Sequence, residues 1–392
     1  MSFPKIFLKQ GKEQSIKRFH PWVFSGAILK TEGEIHDGDI VEVCDFRGNY
    51  LASGHGSDGS IAVRIFSHHG FDGSELFWEK KIQHAFALRS KLGLTTSAKT
   101  NAYRLVHGEG DGLPGLIVDV YDKTAVIQSH STGMFLQRET IAKAILKVYG
   151  ESILAVYDRG DGKSGGDGLS SGEYLVGKKE NDICLEHGNK FRVDWEKGQK
   201  TGFFIDQREN RKLLGEFSNG KQVLNTFCYT GGFSVYALQS GATMVHSLDS
   251  SQRALELSEE NVKLNGIHEN RHTVIKADAV EYLKEKRNEY DIIILDPPAF
   301  AKHLSARHKA VQGYIRINEA ALKQVKPGGL IFTFSCSQVI DKKLFRDSVM
   351  AAAIHAGRQV RILHQLQQPA DHPVSIFHPE GEYLKGLVIE VE

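Results

Sequence analysis

The chain has 392 residues, of which 41% are hydrophobic and 25% charged, a length and composition that indicate two or three folded domains and exclude a disordered chain. Its formal net charge of +1 excludes a polycation that coats nucleic acid along its whole length. Four widely spaced cysteines without a CxxC pair, and the absence of any run of 18 apolar residues, favour a cytoplasmic protein without disulfides, a structural metal or a membrane span.

The first 72 residues are short strand-like runs separated by turns, which predicts a small β-barrel or sandwich. Residues 1–30 carry six Lys or Arg against one acid, with aromatic residues among them. Such a mixture suits a phosphate backbone, although a solvated charged face has the same composition. The residues that we assign to RNA positioning are Lys17, Arg18 and Trp22.

Residues 73–189 are predicted to form a middle α+β domain. Its elements are a helix over 74–92, a hairpin that turns at Asp122-Lys123, a helix near 137–149 and the strand ILAVYD. Within it, Gly162-Lys163-Ser164 resembles the end of a phosphate-binding loop. Tyr157 stands where that motif requires its first glycine, so a surface loop is the better interpretation.

From residue 190 to residue 392, strands and helices alternate. The strand-like runs are QVLNTF, MVHSLD, HTVIKAD, DIIILD, LIFTFS, RILHQL and LKGLVIEV. This alternation predicts a doubly wound, seven-stranded, mostly parallel sheet. In such sheets, ligands bind at the carboxyl ends of the strands.

Candidate cofactor-binding residues follow the first three of these strands. Strand one leads into Asn225-Thr226-Phe227-Cys228-Tyr229-Thr230-Gly231-Gly232, strand two ends in Asp249 and strand three in Asp278. A carboxylate after strand two suits the ribose hydroxyls of an adenosine, and one after strand three suits the adenine amino group, although each acid alone could cap the next helix. Phe227 and Tyr229 stand where the dinucleotide motif GxGxxG requires its first two glycines, which disfavours NAD. S-adenosylmethionine, which has no diphosphate, fits better.

Two reactive groups follow neighbouring strands at the same predicted edge. Asp296 precedes Pro297-Pro298, which impose extended backbone and form a rigid segment suited to the planar edge of a base. Cys336 ends LIFTFS, and its thiolate could add to C6 of a pyrimidine so that C5 attacks a sulfonium methyl. A lone cysteine in an apolar strand is usually a core residue, but its position beside Asp296 favours a nucleophile. The cysteines that we interpret as structural are Cys44, Cys184 and Cys228.

A basic stretch follows the Pro-Pro segment, with four Lys or Arg and no acid between Asp296 and Glu319. We expect residues 302–309 to close over the substrate, whose target base must leave its stack to reach the pocket. The predicted RNA-contacting residues at this edge are Pro297, Pro298, Phe300, Lys302 and Arg307.

Motifs over nearly the whole chain resemble the PUA-containing bacterial 23S ribosomal RNA cytosine-5 methyltransferases. KRFHPWVFSGAI (17–28) is similar to the start of a PUA domain, an RNA-binding β-barrel. Six further motifs occur in the family's order: EGDGLPGLIVDVY, GQKTGFFIDQRENR, LNTFCYTGGFSVYAL, LDPPAF, SCS and HPEGEYLKG. Of these, GQKTGFFIDQRENR is the most specific.

The resemblance implies a class I S-adenosylmethionine-dependent methyltransferase domain over 190–392, acting on a cytosine of large-subunit ribosomal RNA with Cys336 as the nucleophile. The cofactor-binding residues that it implies are Phe204, Asp206, Gln207, Arg208, Asn225, Phe227, Tyr229, Thr230, Gly231, Asp249, Asp278 and Asp296. Broader RNA cytosine-5 methyltransferases carry a second cysteine after Pro-Pro, where this sequence has Ala299. Product release would therefore not use a second thiol, and the base that removes the C5 proton is left open.

Two other functions fit the same residues. An RNA methyltransferase acting on an exocyclic amine or on guanine would also use Asp-Pro-Pro, with Cys336 as a structural residue. A non-catalytic RNA-binding assembly factor would keep the fold without binding the cofactor. The sequence leaves open the target nucleotide, the choice between free RNA and an assembled subunit, and the oligomeric state, including a homodimer.

Overall fold

The computed structural model describes residues 3–160, 172–285, 289–301 and 303–392. Gly162-Lys163-Ser164 and Lys302 lie outside these residues. The chain divides into two compact units, each built from three stretches of sequence. Unit 1 comprises Met1–Cys184, Val193–Ile205 and Ala370–Gly381, and unit 2 comprises Leu185–Arg192, Asp206–Pro369 and Glu382–Glu392. The domain boundaries at residues 72 and 189 stay a prediction.

The amino-terminal part of unit 1 is the region that the sequence predicts to be a small β-barrel or sandwich. Its elements are β1 (Lys5–Leu8), α1 (Gln14–Lys17), β2 (Trp22–Phe24), β3 (Ile28–Glu32), β4 (Ile40–Cys44), β5 (Tyr50–Gly56) and β6 (Ile61–Ser67). The strands form one sheet in the order β2-β6-β5-β4-β1-β3. Alternate residues such as Val41 and Val43 are fully buried in its core, as the two-residue period of a strand requires.

The second sheet of unit 1 has the order β11-β10-β9-β8-β7. Its elements are α2 (Glu75–Lys91), β7 (Ala102–His107), β8 (Leu116–Tyr121), β9 (Thr124–Ser129), α3 (Thr132–Leu136), α4 (Arg138–Tyr149), β10 (Ala155–Asp158) and β11 (Glu173–Val176). The predicted helices and hairpin are confirmed, and Asp122 has the left-handed φ of 54° that a tight turn needs. Trp78 and Ile82 of α2 pack with Ile141 and Ile145 of α4 in one core.

The remaining elements begin with the two-stranded sheet of β12 (Ile183–Glu186) and β13 (Asn189–Arg192). Unit 2 then contains α5 (Arg208–Phe217), β14 (Gln222–Thr226), α6 (Gly232–Gln239), β15 (Met244–Asp249), α7 (Gln252–Leu264), β16 (His272–Lys276), α8 (Ala279–Lys284), β17 (Tyr290–Leu295), α9 (Arg307–Gln324), β18 (Val325–Ser335), α10 (Lys342–Ala356), β19 (Val360–Gln367) and β20 (Lys385–Val391).

The large sheet of unit 2 has seven strands in the order β16-β15-β14-β17-β18-β20-β19. β14 to β18 run parallel, and β20 is antiparallel to both of its neighbours. The central strands are continuous apolar runs because helices cover both faces of a doubly wound sheet. The strand order reverses at β14, so the crevice beside its carboxyl end is a topological switch point. The predicted α/β fold is confirmed.

The start of β18 is irregular. Helix α9 ends at Gln324, and β18 begins at Val325 and contains Lys326-Pro327-Gly328-Gly329. Tyr290 pairs with Val325, and Ile292 then pairs with Leu330, so the extra residues bulge out of the strand. No helix in the described ranges is long and apolar enough to cross a membrane. The cytoplasmic location stays a prediction.

Candidate active site

The loops after β17 and β18 carry the two predicted reactive groups and are joined to each other. Leu295 pairs with Thr333, so Asp296 and Cys336 follow adjacent strands at the same edge. Ser337 Oγ donates a hydrogen bond of 2.6 Å to the carbonyl of Ala301, which ties the second loop to the first. The structure therefore brings the carboxylate and the thiol to neighbouring, linked loops.

Cys336 differs from the other three cysteines in its exposure. Cys44, Cys184 and Cys228 are buried, whereas Cys336 is partly exposed and directly follows the last residue of β18. A thiol in this position can meet a substrate, which a sealed core cysteine cannot. The structural interpretation of the other three therefore agrees with their burial.

Tyr314 of α9 lies within electrostatic range of both reactive groups. Burial raises its pKa to about 12, and the negative charges of Cys336 and Asp296 act in the same direction. Its hydroxyl accepts a hydrogen bond of 2.9 Å from Ser335, the residue before Cys336. A neutral phenol thus forms part of the surroundings of the thiol and the carboxylate.

The Asp296 carboxylate is held in place by the motif that the sequence identified as most specific. Gln207 Nε2 donates to Asp296 Oδ2 at 3.0 Å, and Asn210 Nδ2 donates to Gln207 Oε1 at 2.6 Å. Because Asn210 occupies the oxygen of the Gln207 amide, the nitrogen faces Asp296. Both amides are at most 4% exposed, so the carboxylate has a fixed orientation as an acceptor. Behind Asp296, Pro297 is buried and Pro298 is exposed.

The turn after β14 has a strained backbone. Phe227 and Tyr229 have φ of 54° and 46°, and Gly231 has φ of 75°. Left-handed non-glycine residues cost about 1–3 kcal/mol each and cluster at ligand sites. Tyr229 N–H donates to Asp249 Oδ2 at 3.0 Å, which holds the turn against the end of β15. At Gly231 a Cβ would lie 2.3 Å from Ser258 Oγ, so only glycine fits.

The carboxylates at this edge fit the adenosine part of S-adenosylmethionine. Besides Tyr229 N–H, Asp249 accepts from Ser251 N–H through Oδ1 at 2.9 Å, and each carboxylate oxygen keeps a lone pair for a ribose hydroxyl. Asp278 caps α8 through Oδ1, which accepts from Val280 N–H at 2.9 Å and from Glu281 N–H. Asp278 therefore caps the helix through Oδ1 alone. Its other oxygen, Oδ2, has no hydrogen-bond partner in the described part of the chain.

Several predicted cofactor residues shape the site from within. Asn225 is 1% exposed and donates to Ser234 Oγ at 2.9 Å, and the buried Thr230 accepts from Asn261 through its carbonyl. Phe227 packs on the core of unit 2. The Asn225 side chain and the Thr230 carbonyl therefore help to hold the turn.

The segment predicted to cover the cofactor divides between the two units. Asp206 accepts a hydrogen bond of 2.6 Å from the hydroxyl of Tyr383, and Arg208 is buried with its Nε 3.1 Å from Glu209 Oε1. Phe204 belongs to unit 1, where Lys200 Nζ lies 4.3 Å from the centre of its ring.

The basic residues near the Pro-Pro segment have two kinds of surroundings. Arg307 Nη2 lies 3.4 Å from Asp341 Oδ2, so this cation already has an acidic neighbour. Lys309 and Arg316, two helical turns apart on α9, instead line a cavity of about 1280 Å³ together with Phe300. Arg316 belongs to the basic stretch noted in the sequence but was not among the predicted RNA-contacting residues. Its spacing of seven residues from Lys309 places both on one helix face.

The predicted RNA-positioning residues of unit 1 lie near exposed aromatic rings. Lys17 and Arg18 are exposed, whereas Trp22 is half-buried, and its Nε1 donates to Glu109 at 2.9 Å. Phe19 and Phe24 are 52% and 49% exposed. Sequence reasoning noted these phenylalanines but assigned the contact to Trp22.

Comparisons with known proteins identify the family and the fold. Residues 135–380 match the family model described as S-adenosylmethionine-dependent methyltransferase, and residues 6–68 match that of a PUA-like domain. A solved structure of a candidate S-adenosylmethionine-dependent methyltransferase from Streptococcus mutans covers all of both chains with a TM-score of 0.83 and 24% identity, which shows the same fold.

Curated relatives named ribosomal RNA large subunit methyltransferase I match this chain over its whole length. The relatives from Shewanella amazonensis and Escherichia coli are 40% and 38% identical to this chain. Each alignment covers 99% of this chain and 99% of the relative. One from Klebsiella pneumoniae is 38% identical over 99% of this chain and 98% of its own. The predicted cofactor, S-adenosylmethionine, and the predicted PUA-like domain are confirmed. The chain therefore belongs to the S-adenosylmethionine-dependent methyltransferases, in the family of the proteins named ribosomal RNA large subunit methyltransferase I.

Proposed function

We propose that this protein transfers a methyl group from S-adenosylmethionine to C5 of a cytosine in large-subunit ribosomal RNA, through a covalent bond between Cys336 Sγ and C6. One observation carries the proposal: the partly exposed Cys336 follows the strand adjacent to the one that ends at the fixed carboxylate of Asp296. The name of the relatives supports ribosomal RNA as the substrate.

In this reaction Cys336 acts first. Its thiolate adds to C6, and the electron pair of the C5–C6 double bond moves to C5. Asp296, oriented by Gln207, accepts a hydrogen bond from the edge of the base and holds it during the addition. S-adenosylmethionine supplies a methyl group on a positively charged sulfur.

The second half of the reaction restores the enzyme. C5 forms a bond to the methyl carbon as the bond from that carbon to sulfur breaks. Loss of the C5 proton to a base then re-forms the C5–C6 double bond and expels the Cys336 thiolate. Ala299 follows Pro-Pro, so this expulsion proceeds without a second cysteine.

Basic and aromatic side chains position the RNA. Lys17 and Arg18 of the PUA-like domain bind phosphates, and exposed rings beside them suit unstacked bases. On the methyltransferase side, Lys309 and Arg316 bind the strand along α9, and Phe300 contacts the nucleotide beside the flipped base.

The decisive experiment identifies the product. We expect the protein, labelled S-adenosylmethionine and total ribosomal RNA to give 5-methylcytidine in the large-subunit RNA. Methylated guanosine or a methylated exocyclic amine would contradict the proposal. Absence of cofactor binding by calorimetry would instead favour the assembly factor.

A second experiment tests the covalent bond. RNA that carries 5-fluorocytidine at the target cannot lose a proton from C5 after methyl transfer, so it should remain attached to the protein. We expect a denaturation-resistant adduct with the natural sequence and none with Cys336→Ala. An adduct that persists in Cys336→Ala would refute Cys336 as the nucleophile.

A further inference from the structure

Lys385, the first residue of β20, is a buried cation next to the turn that contains Cys336. Its side chain is almost enclosed, with 6% of the residue exposed. Nζ donates to the carbonyl oxygens of Ser337 and Ile340 at 2.7 and 2.6 Å. Lys385 also pairs directly with Ser335 across the antiparallel strands β20 and β18. The lysine therefore contacts the chain immediately before Cys336 and immediately after it.

Burial of this ammonium has a free-energy cost that its hydrogen bonds offset only in part. An ammonium has three donors, and the two carbonyls are its only acceptors among the residues that the structure describes. No carboxylate forms an ion pair with it in these ranges. Burial lowers the pKa of Lys385 to about 8, and the first negative charge that opposes this effect is that of ionised Cys336. The thiolate is thus its leading electrostatic partner.

We propose that Lys385 is a positioning residue that holds the turn after Cys336 and favours the ionised form of the Cys336 thiol. This inference rests on the proposed role of Cys336 as the nucleophile. A cation beside a thiol stabilises the thiolate, and the proton leaves to solvent. Two carbonyl acceptors fix the ammonium, so its charge is in place before substrate binds.

Other titratable groups lie near this pair. Asp296 lies in the adjoining loop, and its negative charge disfavours a thiolate nearby, whereas Tyr314 is neutral at physiological pH because its pKa is raised to about 12. Glu382, Asp341 and Lys342 also act on Lys385, and Lys342 pairs with Glu382. Lys385 is the buried cation of this group, so it offsets Asp296.

The pH dependence has a definite sign. Below pH 8, Lys385 is mostly protonated and favours the thiolate, and as the pH rises through about 8 it loses its charge and this effect disappears. A free cysteine has a pKa of about 8.5, so the lysine acts where an unassisted thiol would be mostly protonated.

The experiment measures alkylation of Cys336 by iodoacetamide from pH 6 to pH 10 in the full chain, followed by mass spectrometry of the Cys336 peptide. For Lys385→Met we expect the rate at pH 7 to fall about tenfold, equivalent to a rise of about one unit in the thiol pKa, with equal rates at pH 10. The matched control is Lys342→Met, which removes a neighbouring exposed cation and should change the rate less than twofold.

A second variant keeps the inference testable if Lys385→Met does not fold. Lys385→Arg retains a charge at every pH, so we expect a thiol pKa at or below that of the natural protein and no change in slope near pH 8. An unchanged profile in Lys385→Met, or an equal loss of rate at pH 10, would overturn the inference. A missing adduct with fluorinated RNA would refute the proposed function alone, since alkylation requires no RNA.

Discussion

Two cysteines at the same edge of the sheet have opposite surroundings. Cys228 follows β14 and is 6% exposed, and burial, followed by the charge of Asp249, raises its pKa far above the ordinary range. Cys336 follows β18, is partly exposed and lies beside the buried ammonium of Lys385. Position at the ligand edge therefore does not by itself make a thiol reactive. The two thiols differ in exposure and in the sign of the neighbouring charge, which is negative at Cys228 and positive at Cys336.

The largest effect should come from removing each sulfur in turn. We expect Cys336→Ala to lower the methyl-transfer rate at least about 1,000-fold because the covalent route is lost, and Cys228→Ala to retain activity within about threefold. The measurement is transfer of labelled methyl to RNA. Retained activity in Cys336→Ala would support the amine or guanine alternative, and turnover by Cys336→Ser would refute a thiolate mechanism.

A chemical probe tests the same contrast without substrate. At pH 8 we expect iodoacetamide to modify Cys336 at least about 100-fold faster than Cys228, because the thiolate is the reactive form and burial suppresses it at Cys228. Mass spectrometry of the two peptides over time gives both rates in one sample. Equal rates would show that the burial of Cys228 does not protect it.

Asp249 tests whether the surroundings of Cys228 serve the cofactor. We expect Asp249→Asn to weaken S-adenosylmethionine binding about tenfold, because charged acceptors for the ribose and the anchor of the Tyr229 turn are both weakened. Asp278→Asn is the matched control and should change binding about threefold, since Asp278 is exposed. Calorimetry measures both, and tighter binding by Asp249→Asn would contradict the assignment.

The smallest effect should come from the PUA-like domain. Reversing charge in Lys17→Glu/Arg18→Glu should weaken RNA binding about fivefold at physiological salt and flatten its salt dependence, because phosphate contacts release counterions. Cofactor affinity and the alkylation rates of both thiols should stay unchanged. RNA affinity that is unaltered at every salt concentration would refute the RNA-positioning role.

Sequence reasoning located the parts of the fold that have regular apolar patterns. The central strands and most helices of unit 2 could be predicted because apolar strand segments alternate with helical segments, and many helices begin or end at recognisable capping residues. Helix α5 was not predicted, because its buried face is polar: Arg211 forms a bidentate ion pair with Glu186 at 2.8 and 2.7 Å. A pattern of apolar residues does not reveal a helix buried in that way.

The prediction of the candidate site succeeded for single residues that follow strands. It was incomplete for residues whose hydrogen-bond partners are distant in sequence. Asp296 and Cys336 could be placed because each ends an apolar run. Lys385 could not be assigned, because its bond to Ser337 spans 48 residues. Likewise Trp22 could not be recognised as half-buried, since its partner Glu109 is 87 residues away. Such pairs depend on tertiary structure that one sequence does not encode locally.

The position of β20 in the sheet has a consequence for biosynthesis. β20 lies between β18 and β19 but follows both in the chain, so a nascent chain cannot complete this side of the sheet until residues 385–391 have left the ribosome. The same segment delivers the ammonium to Cys336. A chain that ends before residue 385 therefore lacks the cation that we propose favours the Cys336 thiolate.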